Sequence, residues 1–507
     1  MYKINIVSAN QKYQELEYRL KEIADLRYAS GLLQWDQETY MPPAGAEIRA
    51  RQVATLSEMA HSLFTGEELR RILEQLKTAE DLTEDQQHNL RLVQEDVEKS
   101  RKLPSSFVRK LSETVSNSFS AWIEARRANS FKVFQSSLEE LVKLKREEAE
   151  MLGYTGHPYN ALLNDYEKGC TVDLLDKTFA TLREPLGELL GKIAQRPQVD
   201  NAFLNRHYPR QAQWDYILEL LRNLNYDMNA GRQDISEHPF TINFGSRDVR
   251  ITTRIDENDL GNMVWSSIHE AGHALYEQGL PYSEYGMPLG EAASLSIHES
   301  QSRLWENNVG RGLPFWKHHF PALLNHFPNQ LADVSLEKFY QGINQVKPSL
   351  IRTEADELTY HFHVMIRYEL EKELIGGQLE VNDIPEFWNQ GYKNYLGIDV
   401  PDDKQGCLQD VHWSHGSFGY FPTYSLGSLY AAQFYRAAEK AIPALNESLA
   451  QGDCLPLLGW LRSNIHIHGR KYTSEQLSER ITGEGLNTVY FMEYANDKYS
   501  FIYNINR

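Results

Sequence analysis

Cysteine is nearly absent from this chain. Cys170, Cys407 and Cys454 are scattered over 507 residues, with no Cys-x-x-Cys pair among them. An odd, dispersed set excludes a disulfide framework and a cysteine-ligated zinc site, and it fits a reducing compartment. Long apolar runs are missing too: no stretch approaches the roughly eighteen uninterrupted apolar residues of a membrane-spanning helix. The start, Met1-Tyr-Lys-Ile-Asn-Ile, has neither an apolar segment nor a small-residue cleavage site, so no signal peptide is expected and the expected location is the cytoplasm. Positive charge is in deficit, with 52 Lys and Arg against 70 Asp and Glu and a net charge of −18. That balance argues against nucleic acid or an anionic membrane as the main partner. There is no internal repeat and no low-complexity tract.

What remains is an ordinary globular composition, 41% hydrophobic and 24% charged, in a chain long enough to bury an ample core. Helical periodicity dominates. It runs from about 11 to 78 with a break at Met41-Pro-Pro, from 83 to 152 with a break at Leu103-Pro, and from 171 to about 226. Period-two alternation then appears in Phe240-Thr-Ile-Asn-Phe and Val249-Arg-Ile-Thr-Thr-Arg-Ile, around Gly245-Ser-Arg, and predicts an antiparallel β-hairpin. Further helices are expected near 258–279, 291–309, 335–345, 354–375 and 426–449. The class is therefore mostly α, with one small sheet.

The helix at 258–279 carries His269-Glu-Ala-Gly-His273. Histidines at i and i+4 project from one face and can share a metal ion, while Glu270 flanks that face and can reach an attacking water. Val264, Ile268, Ala271 and Leu275 form an adjoining apolar stripe that can anchor the helix to the core. A catalytic zinc needs a third protein ligand and an open position. Glu299, 26 residues beyond His273 in Ser296-Ile-His-Glu-Ser-Gln, is the favoured third ligand. His298 is the rival, pointing about 100° away on the same helix. Two imidazoles and a carboxylate leave a positively charged zinc site suited to metal-assisted amide hydrolysis, with Glu270 as general base and acid.

Six motifs follow one another in order: His238-Pro-Phe, Asp248-Val-Arg-Ile-Thr252, His269–His273, His298-Glu-Ser-Gln301, Ile351-Arg-Thr-Glu-Ala-Asp356 and Gly406-Cys-Leu-Gln-Asp-Val-His-Trp413. Together they resemble the carboxypeptidase Taq family of metallocarboxypeptidases, from the Trp35-Asp-Gln-Glu-Thr region to Trp460-Leu-Arg-Ser-Asn-Ile-His. The resemblance implies a large helical body with a deep groove, of the neurolysin and angiotensin-converting type. It implies a divalent metal, zinc with cobalt able to substitute, and release of single C-terminal residues from peptides with broad specificity. It also implies a homodimer. The chain is expected to form one catalytic domain, 1–507, with helical lobes at about 1–230 and about 231–507 flanking the groove.

A carboxypeptidase must recognise a terminal carboxylate, and Arg352 is the first choice for that contact. The plainer reading is a salt bridge to Asp356, at i+4 on the expected helix. Asp248 and Arg250 lie on one face of a strand whose edge could pair with an extended peptide, or they only brace the hairpin. Oxyanion donors are sought in the segment 409–424, where His412, His415, Tyr420 and Tyr424 qualify and His412 and Tyr420 are favoured. Asp410 is a candidate to orient a zinc histidine. His361, His363, His466 and His468 are expected to be ordinary satisfied or exposed histidines. The competing activity is an endo-acting oligopeptidase of the same architecture, and beyond it a non-catalytic peptide-binding protein; an intact Glu270 counts against the last.

Overall fold

Proline steps and local caps cut the charged N-terminal sequence into four helices. In a computed structural model, which describes residues 9–505, these are α1 (Ala9–Thr39), α2 (Ala46–Thr65), α3 (Glu67–Leu76) and α4 (Glu84–Lys102). Pro42 and Pro43 separate the first two, and a Thr83–Gln86 capping box starts the fourth. Tyr13, Leu16, Leu20 and Ile23 of α1 bury against Leu69, Ile72 and Leu73 of α3 and Val93 and Val97 of α4. Met287 is the one fully buried residue from beyond residue 102 in this small core. A second, much larger core gathers residues from Ala125 to Tyr503. Among the described residues the apolar division between the two cores falls near residue 102. The helices Phe131–Leu152 and Val172–Ala194 bury their apolar stripes against later segments and belong to the main body. Ion pairs tie α4 to that body, among them Asp96–Arg470 at 2.7 Å and Lys99–Asp165 at 2.5 Å.

The sheet is larger than the expected hairpin. β2 (Thr241–Asn243) and β3 (Val249–Thr253) pair antiparallel, as the alternation predicts. A third strand, β1 (Gly231–Ile235), pairs parallel with β3, giving the order β1-β3-β2. Its sequence, Gly-Arg-Gln-Asp-Ile, carries no β signal; pairing with a buried neighbour overrides propensity. The expectation that the 248–252 strand offers an open edge is thus corrected: β3 is central, and its main chain is engaged on both sides.

Asp259 caps the helix Leu260–Glu277, here called the metal helix, by accepting from the Asn262 N–H at 3.2 Å. Its stripe of Val264, Ile268, Ala271 and Leu275 is fully buried. The helix Leu295–Arg303, capped by Ser294, crosses beside it and continues as a π-helical turn, Leu304–Val309. The expected helix at 291–309 is thus this composite. That at 354–375 begins only at Tyr360, after a 3-10 turn, Arg352–Glu354. That at 426–449 is two helices, Pro422–Ala441 and Leu445–Ala450. No helix among the described residues is long and apolar enough to cross a membrane.

Two glycines set how closely these elements pack. A Cβ on Gly272, inside the His-Glu-Ala-Gly-His run, would lie 2.6 Å from Ser302 Cα and 2.7 Å from Gln301 O. A Cβ on Gly427 would lie 2.5 Å from Glu299 Cγ. The neighbours at Gly272 are backbone atoms, so they cannot rotate away. Gly272→Ala is expected to push the two helices apart and to cost about 1–3 kcal/mol of stability. Because Glu299 rides on the displaced helix, metal affinity should fall with it. Calorimetric melting with and without metal reads both effects.

Candidate active site

His269 and His273 stand one turn apart on the metal helix, and the helix crossing at Gly272 brings Glu299 against them. Glu299 Oε2 lies 3.7 Å from His269 Nε2 and 3.5 Å from His273 Nε2. These three ligand atoms all lie within 4.8 Å of one another. A tetrahedral ion with bonds of about 2.1 Å separates its ligands by roughly 3.4 Å, so the set fits a divalent cation with little adjustment. Arg303 Nε holds the other carboxylate oxygen of Glu299 at 2.7 Å, which leaves Oε2 to the metal side. Arg303 and the two histidines keep Glu299 well below the usual carboxylate range, although burial alone would raise it.

Both histidines are oriented from behind. His269 Nδ1 donates to Glu306 Oε2 at 2.9 Å, so its Nε2 lone pair faces the metal position. His273 Nδ1 lies 2.6 Å from His298 Nδ1, and His298 Nε2 lies 2.8 Å from Glu277 Oε1. One proton order satisfies the whole series: His273 donates to His298, which donates to Glu277. Burial, and then His298, push His273 down to about 3, which favours the neutral ring that a cation would need. Both ring nitrogens of His298 are engaged, by His273 and Glu277, and the group that could hold a cation is His269, His273 and Glu299. Asp410 binds Arg352 and Arg367, whereas Glu306 and His298 are the partners of His269 and His273. Glu306 escapes sequence reading because the π-helical turn shifts its side chain off the regular helical register. Glu306→Gln is expected to weaken metal binding about 10- to 100-fold with the fold intact. Competitive titration with a chromophoric chelator measures it.

Glu270 is buried on the flank of the same face. Thr241 Oγ1 on β2 donates to its Oε2 at 2.6 Å and to its main-chain oxygen at 3.0 Å. Burial pushes its carboxyl up, against the opposing effects of His269 and Thr241. A carboxylate fixed there and raised by desolvation is a strengthened base.

A continuous path leads from the metal position to Arg352. The Arg303 guanidinium lies over the Tyr360 ring at 4.5 Å, and Tyr360 Oη accepts from Arg352 Nη1 at 2.8 Å. The expected Arg352–Asp356 pair does not form. Residue 352 lies in a 3-10 turn, and Asp356 instead caps the next helix by accepting from Thr359 N and Oγ1. Arg352 pairs with Asp410 Oδ1 at 2.8 Å, while the other oxygen of Asp410 takes Arg367 Nη2 at 2.6 Å. Gln409 Oε1 accepts from the Arg352 main chain and from Arg367, both at 2.9 Å. Arg367, fully buried, went unnoticed in the sequence because nothing local marks it. Two guanidinium groups share one carboxylate, and this buried trio carries one net positive charge. The neighbouring His412 adds no charge of its own: burial, and then Arg352, push it down to about 3.

The aromatic wall lies between these two centres. His412 Nε2 is 3.1 Å from Tyr424 Oη, and the Arg352 guanidinium stands 4.8 Å from the Tyr424 ring. The Tyr420 and Tyr424 rings are 5.3 Å apart. Burial, and then the nearby Glu299, push the Tyr420 hydroxyl up to about 12, so it stays protonated and able to donate. His415 turns away and packs on Phe119 at 4.9 Å. Asp248 and Arg250 bind each other at 2.8 Å, and Arg250 lies over Trp35 of α1 at 4.5 Å. They tie the sheet to α1, which is the bracing reading. His361 and His363 meet Ser425 and Tyr392, and His466 meets Gln301, as ordinary buried histidines do.

The family model described as "Carboxypeptidase Taq (M32) metallopeptidase" matches residues 15–499. The chain is 42% identical to "Thermostable carboxypeptidase 1" of Thermus thermophilus, covering 97% of this chain and 99% of that protein. It is 38% identical to "Carboxypeptidase 1" of Bacillus subtilis, covering 96% and 97%. The crystal structure of an M32 carboxypeptidase from Deinococcus radiodurans R1 superposes with a TM-score of 0.96 at 40% identity, covering 97% of this chain and 100% of that one.

Proposed function

The chain belongs to the carboxypeptidase Taq (M32) metallopeptidase family, and from that premise we propose how its residues divide the work of a metal-dependent carboxypeptidase. His269, His273 and Glu299 hold the cation, for which zinc, with cobalt as a substitute, suits the two-imidazole, one-carboxylate set. A divalent metal bound there supplies Lewis acidity, polarising the scissile carbonyl and lowering the pKa of water toward neutrality. Glu270 takes a proton from the attacking water and returns it to the leaving amine. Thr241 aims its carboxylate for both transfers. Tyr420 and Tyr424 donate to the oxygen that gains charge as the carbonyl is attacked, and His412 steadies Tyr424 from behind.

The observation that carries carboxyl-end specificity is the buried Arg352–Asp410–Arg367 trio. The trio carries one net positive charge in a site that largely excludes water, which favours an anionic ligand beside Arg352. A peptide's terminal carboxylate supplies that anion, and Arg352, in contact with Tyr360 and Tyr424, is the guanidinium nearer the reacting groups. Asp248 and Arg250 contribute by holding the sheet against α1. Peptides with a free C-terminus are thus the substrates, shortened one residue at a time. A cytoplasmic homodimer remains part of this reading, and three buried free cysteines are in keeping with a reducing compartment.

Mass spectrometry of a mixed peptide digest tests the reading. Stepwise ladders from free C-termini are expected, abolished by a chelator, restored by zinc and absent from C-terminally amidated peptides. Internal cleavage of the amidated peptides would instead establish an oligopeptidase.

A further inference from the structure

The segment 411–421 carries His412 and Tyr420 but has little regular structure to hold it. It consists of a 3-10 turn, His412–His415, and a loop with left-handed glycines at 416 and 419. Its geometry must be imposed from outside.

We propose that Glu371 is a positioning residue for the hydrolysis, its buried carboxylate fixing the segment that carries His412 and the oxyanion donor Tyr420. Glu371 lies on the helix Tyr360–Gly376 and is fully buried. Its Oε1 accepts from Trp413 Nε1 at 2.8 Å, and its Oε2 accepts from the Gly419 main-chain N–H at 2.8 Å. Trp413 follows His412 directly, and Gly419 directly precedes Tyr420. Each bond therefore acts one residue from a group assigned to the reaction. A third donor, Tyr159 Oη at 2.5 Å, shares Oε2 with Gly419. Arg367 lies four residues earlier on the same helix and holds Gln409 and Asp410. One helix thus sets both ends of the segment: Arg367 fixes the carboxylate-binding trio, and Glu371 fixes the donor wall. A Cβ at Gly419 would come within 2.9 Å of the Leu162 main chain, so the loop at that point is seated directly on its neighbour.

A carboxylate accepts from all three donors at once. An amide cannot: in Glu371→Gln one of Trp413 Nε1–H, Gly419 N–H and Tyr159 O–H must face an N–H group and lose its bond. The proposal rests on the assignment of Tyr420 and Tyr424 as oxyanion donors.

Glu371→Gln and Glu371→Asp are compared with the parent enzyme by steady-state kinetics, metal content, melting temperature and amide hydrogen exchange. Misplacement of about 1 Å at a reacting group costs on the order of 100-fold, so kcat is expected to fall about 10- to 100-fold. KM should stay within about twofold and metal content should be full, because Glu371 bonds to Trp413, Gly419 and Tyr159 and not to Arg352 or the three residues gathered for the cation. Exchange should rise in 412–420 and not in the metal helix. Tyr159→Phe, which spares the Trp413 and Gly419 bonds, should lose no more than about threefold in kcat. The proposal is overturned if folded Glu371→Gln keeps its kcat, or if the loss matches the unfolded fraction read from the melting curve. Should Glu371→Gln fail to fold, Glu371→Asp is judged on the same measurements. The Tyr420→Phe/Tyr424→Phe double variant separates the two layers: full activity there refutes the donor assignment, while the exchange data still decide whether Glu371 fixes the segment.

Discussion

Glu270→Gln is expected to lose about 10²- to 10⁴-fold in kcat while binding metal as the parent does. The substitution keeps the shape of the side chain, and the Gln carbonyl can still accept from Thr241 Oγ1. What disappears is the ability to take a proton from water and return it to the departing amine. Glu270 is not among the three atoms gathered for the cation, so metal content measured by mass spectrometry should be unchanged. Activity surviving in a metal-replete variant would defeat the general-base assignment. Loss of metal would instead show that Glu270 belongs to the coordination set. The variant is also expected to gain slightly in stability, because it relieves a buried carboxyl whose ionised form is disfavoured by desolvation.

The second large effect is selective for substrate. Arg352→Ala should lower kcat/KM for peptides with a free C-terminus by roughly 100- to 1,000-fold, within the about 2–5 kcal/mol expected when one member of a buried charge pair is removed. For a C-terminally amidated peptide, already a poor substrate, the same variant should change little. The ratio of the two rates is the diagnostic quantity, because damage to the site in general would lower both. Asp410 keeps Arg367 as a partner after the substitution, so the segment retains its anchor. Arg352→Lys restores charge without the planar fork and should recover only part of the discrimination. Equal losses on both peptides would remove the carboxylate-recognition role and leave Arg352 as a structural ion pair.

The two variants probe separate regions of one site. Glu270 acts at the metal helix and Arg352 at the far end of the Arg303–Tyr360 path, with the tyrosine wall between them. Buried ion pairs and aromatic stacking join these parts. The spacing between the His269–His273–Glu299 group and Arg352 is therefore set by side-chain geometry as well as by the backbone.

The sequence by itself determined those features that follow from local periodicity. A helix of 3.6 residues per turn places His269 and His273 on one face and Val264, Ile268, Ala271 and Leu275 on the next, wherever that helix lies. Glu299 was legible as a candidate partner of the two histidines because it lies on the following helix, and the fold brings it within 3.7 Å of both rings. The pairing of β2 with β3 was legible from alternation around a short turn.

Only tertiary packing decided the rest. Asp356 looked like the partner of Arg352 by helical spacing, yet residue 352 lies in a 3-10 turn and its partner is Asp410, 58 positions away. Gln409, Asp410 and Trp413 were visible as a motif, but their partners Arg367 and Glu371 are fixed by how another helix packs. β1 joined the sheet without a strand signal, and that converted β3 from an expected edge to the central strand. Glu306 reached His269 through a π-helical turn that no repeat of three or four residues foretells. Gly272 reads as a small helical residue until a second backbone is seen to cross at that point. The difference is physical: local backbone geometry repeats with the chain, whereas long-range pairings depend on which surfaces come together in the folded core.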